Sequence, residues 1–167
     1  METLFESVYV RDEKVAKETF RYFYFQRKVL IACYVVMASS FLVAIPLAIS
    51  GSSNIWPVFI FVPLFFAIVI YRYIQAVRMS VKRDRELFGE DVTIRSVATD
   101  TYVQNLAPDG GNAKAEYRNI RSAVQTKNLI LLFTQANLIY IFKKDSFTKG
   151  TAEDFIRHLR NRGLQIK

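Results

Sequence analysis

For nucleophilic or metal chemistry this 167-residue chain offers one histidine and one cysteine, and nothing around either completes a reactive set. His158 stands between Arg157 and Leu159 with no second histidine or nearby cysteine, whereas a zinc centre needs three or four nitrogen, sulfur or carboxylate donors. Cys33 lies inside an apolar run, where it acts as a small hydrophobe. Asp109-Gly110-Gly111-Asn112 has glycines, but neither the spacing nor the strand-to-helix setting of a phosphate loop, and it reads as a hairpin turn. Glu153 and Asp154 fall at an expected helix start, where capping and the helix dipole account for two carboxylates without acid-base work. The hydroxyls of Ser122, Thr134 and Ser146 have no base adjacent in sequence. No catalytic residue, metal ligand or cofactor is therefore assigned, and a non-enzymatic role is expected.

What does imply a ligand is positive charge. The chain carries a formal net charge of +8, which favours anionic lipid headgroups or nucleic acid. Arg78, Lys82 and Arg85 recur at intervals of three or four residues and share a face if that stretch is helical, with Arg83 beside them. Arg157 and Arg160 offer a second group on the final helix. These six are the lipid-facing candidates, each worth roughly 1 kcal/mol near an anionic surface. The competing explanation for the first group is a flank that only sets topology. Tyr102, Tyr117, Phe133 and Tyr140 interleave with cations as in a nucleic-acid surface, but strand alternation assigns them to a core and no RNA-recognition consensus is present. Nucleic acid is not an expected partner.

The elements that position these groups begin with two apolar runs. Val29 to Ile49 is free of charge and, as a helix, long enough for a hydrocarbon core of about 30 Å. Ile55 to Tyr71 is shorter, and its helix can continue past Arg72, whose side chain reaches the headgroups. Ser50-Gly51-Ser52-Ser53-Asn54 joins them as an uncharged turn, which forces an antiparallel hairpin. Arg21, Arg27 and Lys28 precede the first span, and Arg72, Arg78, Lys82, Arg83 and Arg85 follow the second, so both termini are expected in the cytoplasm. Neither run contains an ionisable acid or base of the kind a pump or proton relay needs. Ser40, Ala44 and Ala48 recur every four residues and are the helix-packing candidates, within the hairpin or across a homo-oligomer seam.

Thr3 to Val10 reads as a short strand able to pair with the C-terminal region, and Asp12 as the cap of a helix through Val15, Ala16, Thr19 and Phe20 lying along the interface. Beyond Gly89 short β-rich segments predominate, near 91–98, 101–106, 113–117, 120–126, 129–134 and 137–143. A last helix follows, with Thr151 and Asp154 as a capping box, Ala152, Phe155, Ile156 and Leu159 as its apolar stripe, and Gly163 as its terminator. The expected organisation is an N-terminal strand and juxtamembrane helix over 1–28 and a transmembrane hairpin over 29–77, with spans near 29–49 and 55–73. A basic segment over 78–88 then leads to a mainly β domain with a C-terminal helix over 89–167.

This order resembles the YcxB-like membrane proteins of bacteria, whose soluble part is similar to a pleckstrin-homology (PH) domain. The resemblance rests on Glu116-Tyr117-Arg118-Asn119-Ile120, on the strand ending Leu138-Ile139-Tyr140-Ile141-Phe142, and on Lys144-Asp145-Ser146-Phe147 followed by Ala152-Glu153-Asp154-Phe155. Lys143 stands where the family often has proline. The resemblance implies a PH-like cytoplasmic domain on a bacterial inner-membrane anchor. It supplies no reaction, because function inferred from a fold is analogy. The expected role is an interaction module that binds an unidentified protein partner, with anionic lipid as auxiliary ligand; the alternative is an accessory or regulatory subunit of a larger membrane complex.

Overall fold

The structure, a computed structural model, describes residues 2–51, 55–88, 92–107 and 111–166. The expected turn residues Ser52 to Asn54 and Pro108 to Gly110, and the expected domain start at Gly89 to Asp91, lie outside the described residues. The chain divides into two compact units, Phe20–Ser80 and the combination of Met1–Thr19 with Val81–Lys167.

Among the described residues the second of these units is built on eight strands. β1 (Thr3–Val10), β2 (Thr93–Thr99), β3 (Tyr102–Leu106), β4 (Asn112–Glu116) and β8 (Phe147–Lys149) form one antiparallel sheet in the order β4-β3-β2-β1-β8. β5 (Ile120–Gln125), β6 (Leu129–Thr134) and β7 (Ile139–Lys143) form another in chain order. The N-terminal strand is thus interior to the larger sheet: Val10 pairs with Thr93 and Thr3 with Thr99 on one side, and Ser7 pairs with Phe147 on the other. Six of the eight strands fall close to their expected positions and β1 coincides with its own, while β8, only three residues long, was not anticipated.

Alternation along β6 explains how this unit fills its interior. Ile130 and Leu132 enter the main core with Val103, Tyr140, Phe142, Phe155 and Leu159. Leu129 and Leu131 alternate onto the opposite face and are just as buried. Both faces of β6 are therefore covered, which is why the segment reads as an unbroken apolar run.

The two sheets are stitched by serines. Ser7 and Ser96 stand opposite each other on β1 and β2, and both are fully buried. Ser96 Oγ donates to the Ile141 carbonyl at 2.7 Å, and Ser7 Oγ donates to the Lys143 carbonyl at 3.1 Å while accepting from the Lys143 N–H at 3.2 Å. These hydroxyls bond backbone groups of β7 from the other sheet, and for the Lys143 carbonyl the Ser7 hydroxyl is a second partner beside the Ser146 N–H at 3.2 Å.

α4 (Ala152–Asn161) closes the core. Thr151 Oγ1 accepts from the Asp154 N–H at 3.1 Å, as the capping pattern predicts, while the Asp154 carboxylate accepts from the Thr151 hydroxyl at 2.7 Å rather than from the Thr151 N–H of a full capping box. At the other end Gly163, at φ +78°, lets its own N–H reach the Arg160 carbonyl and the Leu164 N–H reach the Leu159 carbonyl. Gly150 is also left-handed, and a Cβ there would lie 2.5 Å from the Phe5 ring, so glycine is required where β8 turns into α4.

α1 (Glu13–Arg21) starts at Asp12, whose carboxylate accepts from the Val15 N–H at 2.9 Å. The expectation that its apolar stripe lies on a membrane interface is revised: Val15, Ala16 and Thr19 are buried in protein.

In the other unit a five-residue π-helix (Tyr22–Gln26) precedes α2 (Lys28–Ile49), and most of α3 (Trp56–Phe88) follows. Phe41 meets Phe59 at 5.3 Å between ring centroids, Tyr34 meets Phe66 at 5.8 Å, and Phe25 meets Tyr73 at 5.4 Å, the succession an antiparallel hairpin demands. The Tyr34 hydroxyl donates at 2.6 Å to the Tyr24 carbonyl in the π-helix. The outward faces stay apolar and uncovered: Leu42 is 67% exposed and Ile60 66%. Of the helix-packing candidates Ala44 is buried, Ala48 half-buried, and Ser40 exposed with its hydroxyl turned back to the Met37 carbonyl.

Candidate functional site

Arg78, Lys82, Arg83 and Arg85 are all exposed on α3, with Lys82 3.5 Å from Glu86 one turn on. Between them Asp84 turns inward and pairs with Arg11 at 3.0 Å, its side chain only 8% exposed. That ion pair fastens the end of α3 to the chain just beyond β1. Tyr9 lies beside it, and burial pushes its phenol up to about 12 against the opposing effects of Arg11 and a hydrogen bond with Ser96.

Arg157 and Arg160 are exposed on α4, with Arg157 3.5 Å from Asp154. They do not extend the α3 group. The Arg11–Asp84 pair places the end of α3 at the Val10 end of β1. α4 sits at the Thr3 end, where Phe155 and His158 meet Phe5 and Arg162 pairs with Asp100 in the β2–β3 turn. The two ends of an eight-residue strand are roughly 23 Å apart, so within this unit Lys82, Arg83 and Arg85 form one group and Arg157 and Arg160 another.

His158 packs its ring between Phe5, 5.4 Å away, and Tyr117, 5.6 Å away, and its Nε2 is buried without a hydrogen-bond partner. Desolvation first, and the Arg162 charge second, hold its pKa below 6.5, with Asp100 opposing. A depressed folded-state pKa means that the unfolded chain takes up the proton first as pH falls. The neutral ring's contribution to stability is complete above about pH 6.5 and is lost as pH drops through the folded-state value. The detergent-solubilised protein is accordingly expected to show a thermal midpoint that falls between about pH 6.5 and pH 5, with a shallower fall in His158→Phe. Equal slopes in the two proteins would show that His158 does not titrate in this way.

Two of the three hydroxyls considered for chemistry, those of Thr134 and Ser146, have other partners. Thr134 Oγ1 accepts from the Leu138 N–H within the β6–β7 turn, and Ser146 Oγ donates to Asp145. Among the described residues no three His, Cys, Asp or Glu side chains converge as a metal site.

A polar cluster that sequence reading did not single out surrounds Glu18. One carboxylate oxygen accepts from Thr126 Oγ1 at 2.6 Å and from the Asn128 N–H at 2.7 Å, and the other from Asn128 Nδ2 at 2.8 Å. Burial opposes ionisation, but these bonds outweigh it and hold the carboxyl below its ordinary value. The Lys144 ammonium donates to the Thr126 and Lys127 carbonyls of the same turn, and its charge acts favourably on Glu18. The partners are 108 to 110 residues apart in the chain, a separation at which no local pattern could have signalled the contact.

Fold and surface thus define a class: two long apolar helices joined to a mostly antiparallel β unit that a C-terminal helix closes. The family model described as YcxB-like protein matches residues 100–159, from the β2–β3 turn to Leu159 in α4. The matched stretch contains every motif on which the resemblance rests, and over that stretch the chain is similar to this family. β1 and both apolar helices lie outside it. No curated protein and no solved structure matches the chain.

Proposed function

We propose that this protein is a non-enzymatic interaction module held at the cytoplasmic face of a bacterial inner membrane by its helical hairpin. In this reading its PH-like β unit binds a protein partner and anionic headgroups assist. The observation that carries the proposal is the uncovered apolar surface of α2 and α3. Within Leu30–Ile49 and Trp56–Glu86, 18-residue stretches reach mean hydropathies of 2.3 and 2.1 with only 6% of each stretch buried, and an apolar surface of that size favours a lipid solvent. The exposed cations at the end of α3 support a cytoplasmic placement of the β unit. Two antiparallel sheets with a C-terminal helix in the core support the PH-like assignment. In the β unit Val10 and Leu138 are the large apolar side chains that stay exposed among the described residues, and Leu138 occupies the β6–β7 turn.

Topology reporters test the anchoring. Fusions after Gln26 and after Lys167 are expected to read cytoplasmic and one at Ser52 external, and charge reversal of Lys82, Arg83 and Arg85 to Glu is expected to invert a fraction of the molecules. An external C-terminal reporter in the unaltered chain would overturn the proposal. A photocrosslinker at Leu138 tests the second half in native membranes, where lipid adducts without any protein adduct would remove the partner from the reading.

A further inference from the structure

The surroundings of Glu18 have the form of a binding site with its ligand in place. Three donors converge on one carboxylate: a hydroxyl, a backbone N–H and a side-chain amide, at 2.6, 2.7 and 2.8 Å. The turn that presents them is fixed without help from Glu18. The Thr126 N–H donates to the Leu129 carbonyl at 2.9 Å, the Leu129 N–H donates to Thr126 Oγ1 at 3.2 Å, and the Asn128 carbonyl accepts from the Lys144 N–H at 2.9 Å. Lys144 Nζ donates to two carbonyls of the turn and brings a full positive charge that interacts favourably with Glu18. Donors held in place before the anion arrives bind it without a reorganisation cost, and bonds to an ionised acceptor are roughly twice as strong as neutral ones.

Glu18 is the point at which α1 is tied to the smaller sheet by side-chain hydrogen bonds. Val15, Ala16 and Thr19, on the same helix, are buried, and so are Leu129 and Leu131 on the face of β6 turned away from the main core. A nine-residue helix has too few turns to persist by itself, so α1 depends on what holds it. We propose that the Thr126–Asn128 turn is a carboxylate-recognition site with Glu18 as its resident ligand, which makes α1 a releasable strap fastened at the β5–β6 turn. A carboxylate supplied from outside, such as the side chain of an acidic peptide, competes for the same donors. The inference concerns the β unit alone and stands whether or not the membrane reading does.

Hydrogen exchange on the full chain in detergent micelles tests it, with the amides of Glu13–Arg21 as the readout and those of β6 as internal reference. Glu18→Ala is expected to accelerate α1 exchange about tenfold or more while β6 exchange stays the same, because only the strap opens. Acetate in place of chloride at equal ionic strength is expected to slow α1 exchange in Glu18→Ala by refilling the vacated donors. It should have no such effect in Glu18→Ala combined with Thr126→Val, which lacks one of them. Exchange within about twofold of the unaltered protein in Glu18→Ala would overturn the strap. So would parallel acceleration of α1 and β6. Failure of acetate to act differently from chloride would overturn the recognition site.

Discussion

A fragment spanning residues 92–166 is expected to be unfolded, with no cooperative thermal transition and a coil-like far-ultraviolet spectrum. β1 lies between β2 and β8, so its removal strips backbone partners from two strands at once. It also removes fully buried Ser7, nearly buried Tyr9, and Phe5, whose ring lies 5.3 Å from Phe155. Burial of one large side chain is worth roughly 1.5–3 kcal/mol, and a domain of this size is stable by about 5–15 kcal/mol, so losing a whole interior strand exceeds the margin. The geometry also supplies a rescue. β1 and β2 are antiparallel, Val10 pairs with Thr93, and the Arg11 N–H donates to the Val92 carbonyl at 2.8 Å. A chain of residues 2–12 joined to 92–166 through an Asn-Gly turn therefore forms a tight hairpin in place of the natural excursion through α1, α2 and α3. The fused chain is expected to regain a β spectrum. Cooperative unfolding of 92–166 alone would show that β1 is dispensable and would refute the account of the sheet given above.

Phe155→Ala is expected to destabilise the full-length protein by about 3–5 kcal/mol, the range for a large aromatic deleted from a core that cannot collapse around the gap. Phe155 is fully buried, with its ring centroid 4.4 Å from Phe142, 5.3 Å from Phe5 and 5.9 Å from Phe147. It joins α4 to β7, β1 and β8 together, and a ten-residue helix has no stability of its own to offset the loss. Thr151→Ala, which removes the cap alone, is expected to cost only about 1 kcal/mol. Denaturant midpoints in mild detergent, with exchange of α4 amides as a local probe, check the pair. A loss below about 1 kcal/mol for Phe155→Ala would mean that α4 is held elsewhere.

The sequence by itself determined those features whose cause is local. The apolar runs located α2 and the start of α3, because a helix needs about 20 apolar residues to cross a hydrocarbon core and the residues stand in one stretch. Alternation located most of the strands, and Thr151, Asp154 and Gly163 marked both ends of α4 because capping acts over three or four residues. Tertiary structure decided what depends on distant pairs. That β1 would enter the larger sheet next to β2 was one option among several until two strands more than eighty residues apart were seen in register. β8 is too short for a pattern and exists only because β1 offers it an edge. Asp84 reads in sequence as one more acid among exposed cations, yet its partner Arg11 draws it inward. Lys82, Arg83, Arg85, Arg157 and Arg160 look equivalent in sequence, but β1 holds the end of α3 at one of its ends and α4 at the other. Glu18 carries no local sign of its role, since a carboxylate on an exposed-looking helix becomes a ligand only when a turn 110 residues away is folded to receive it.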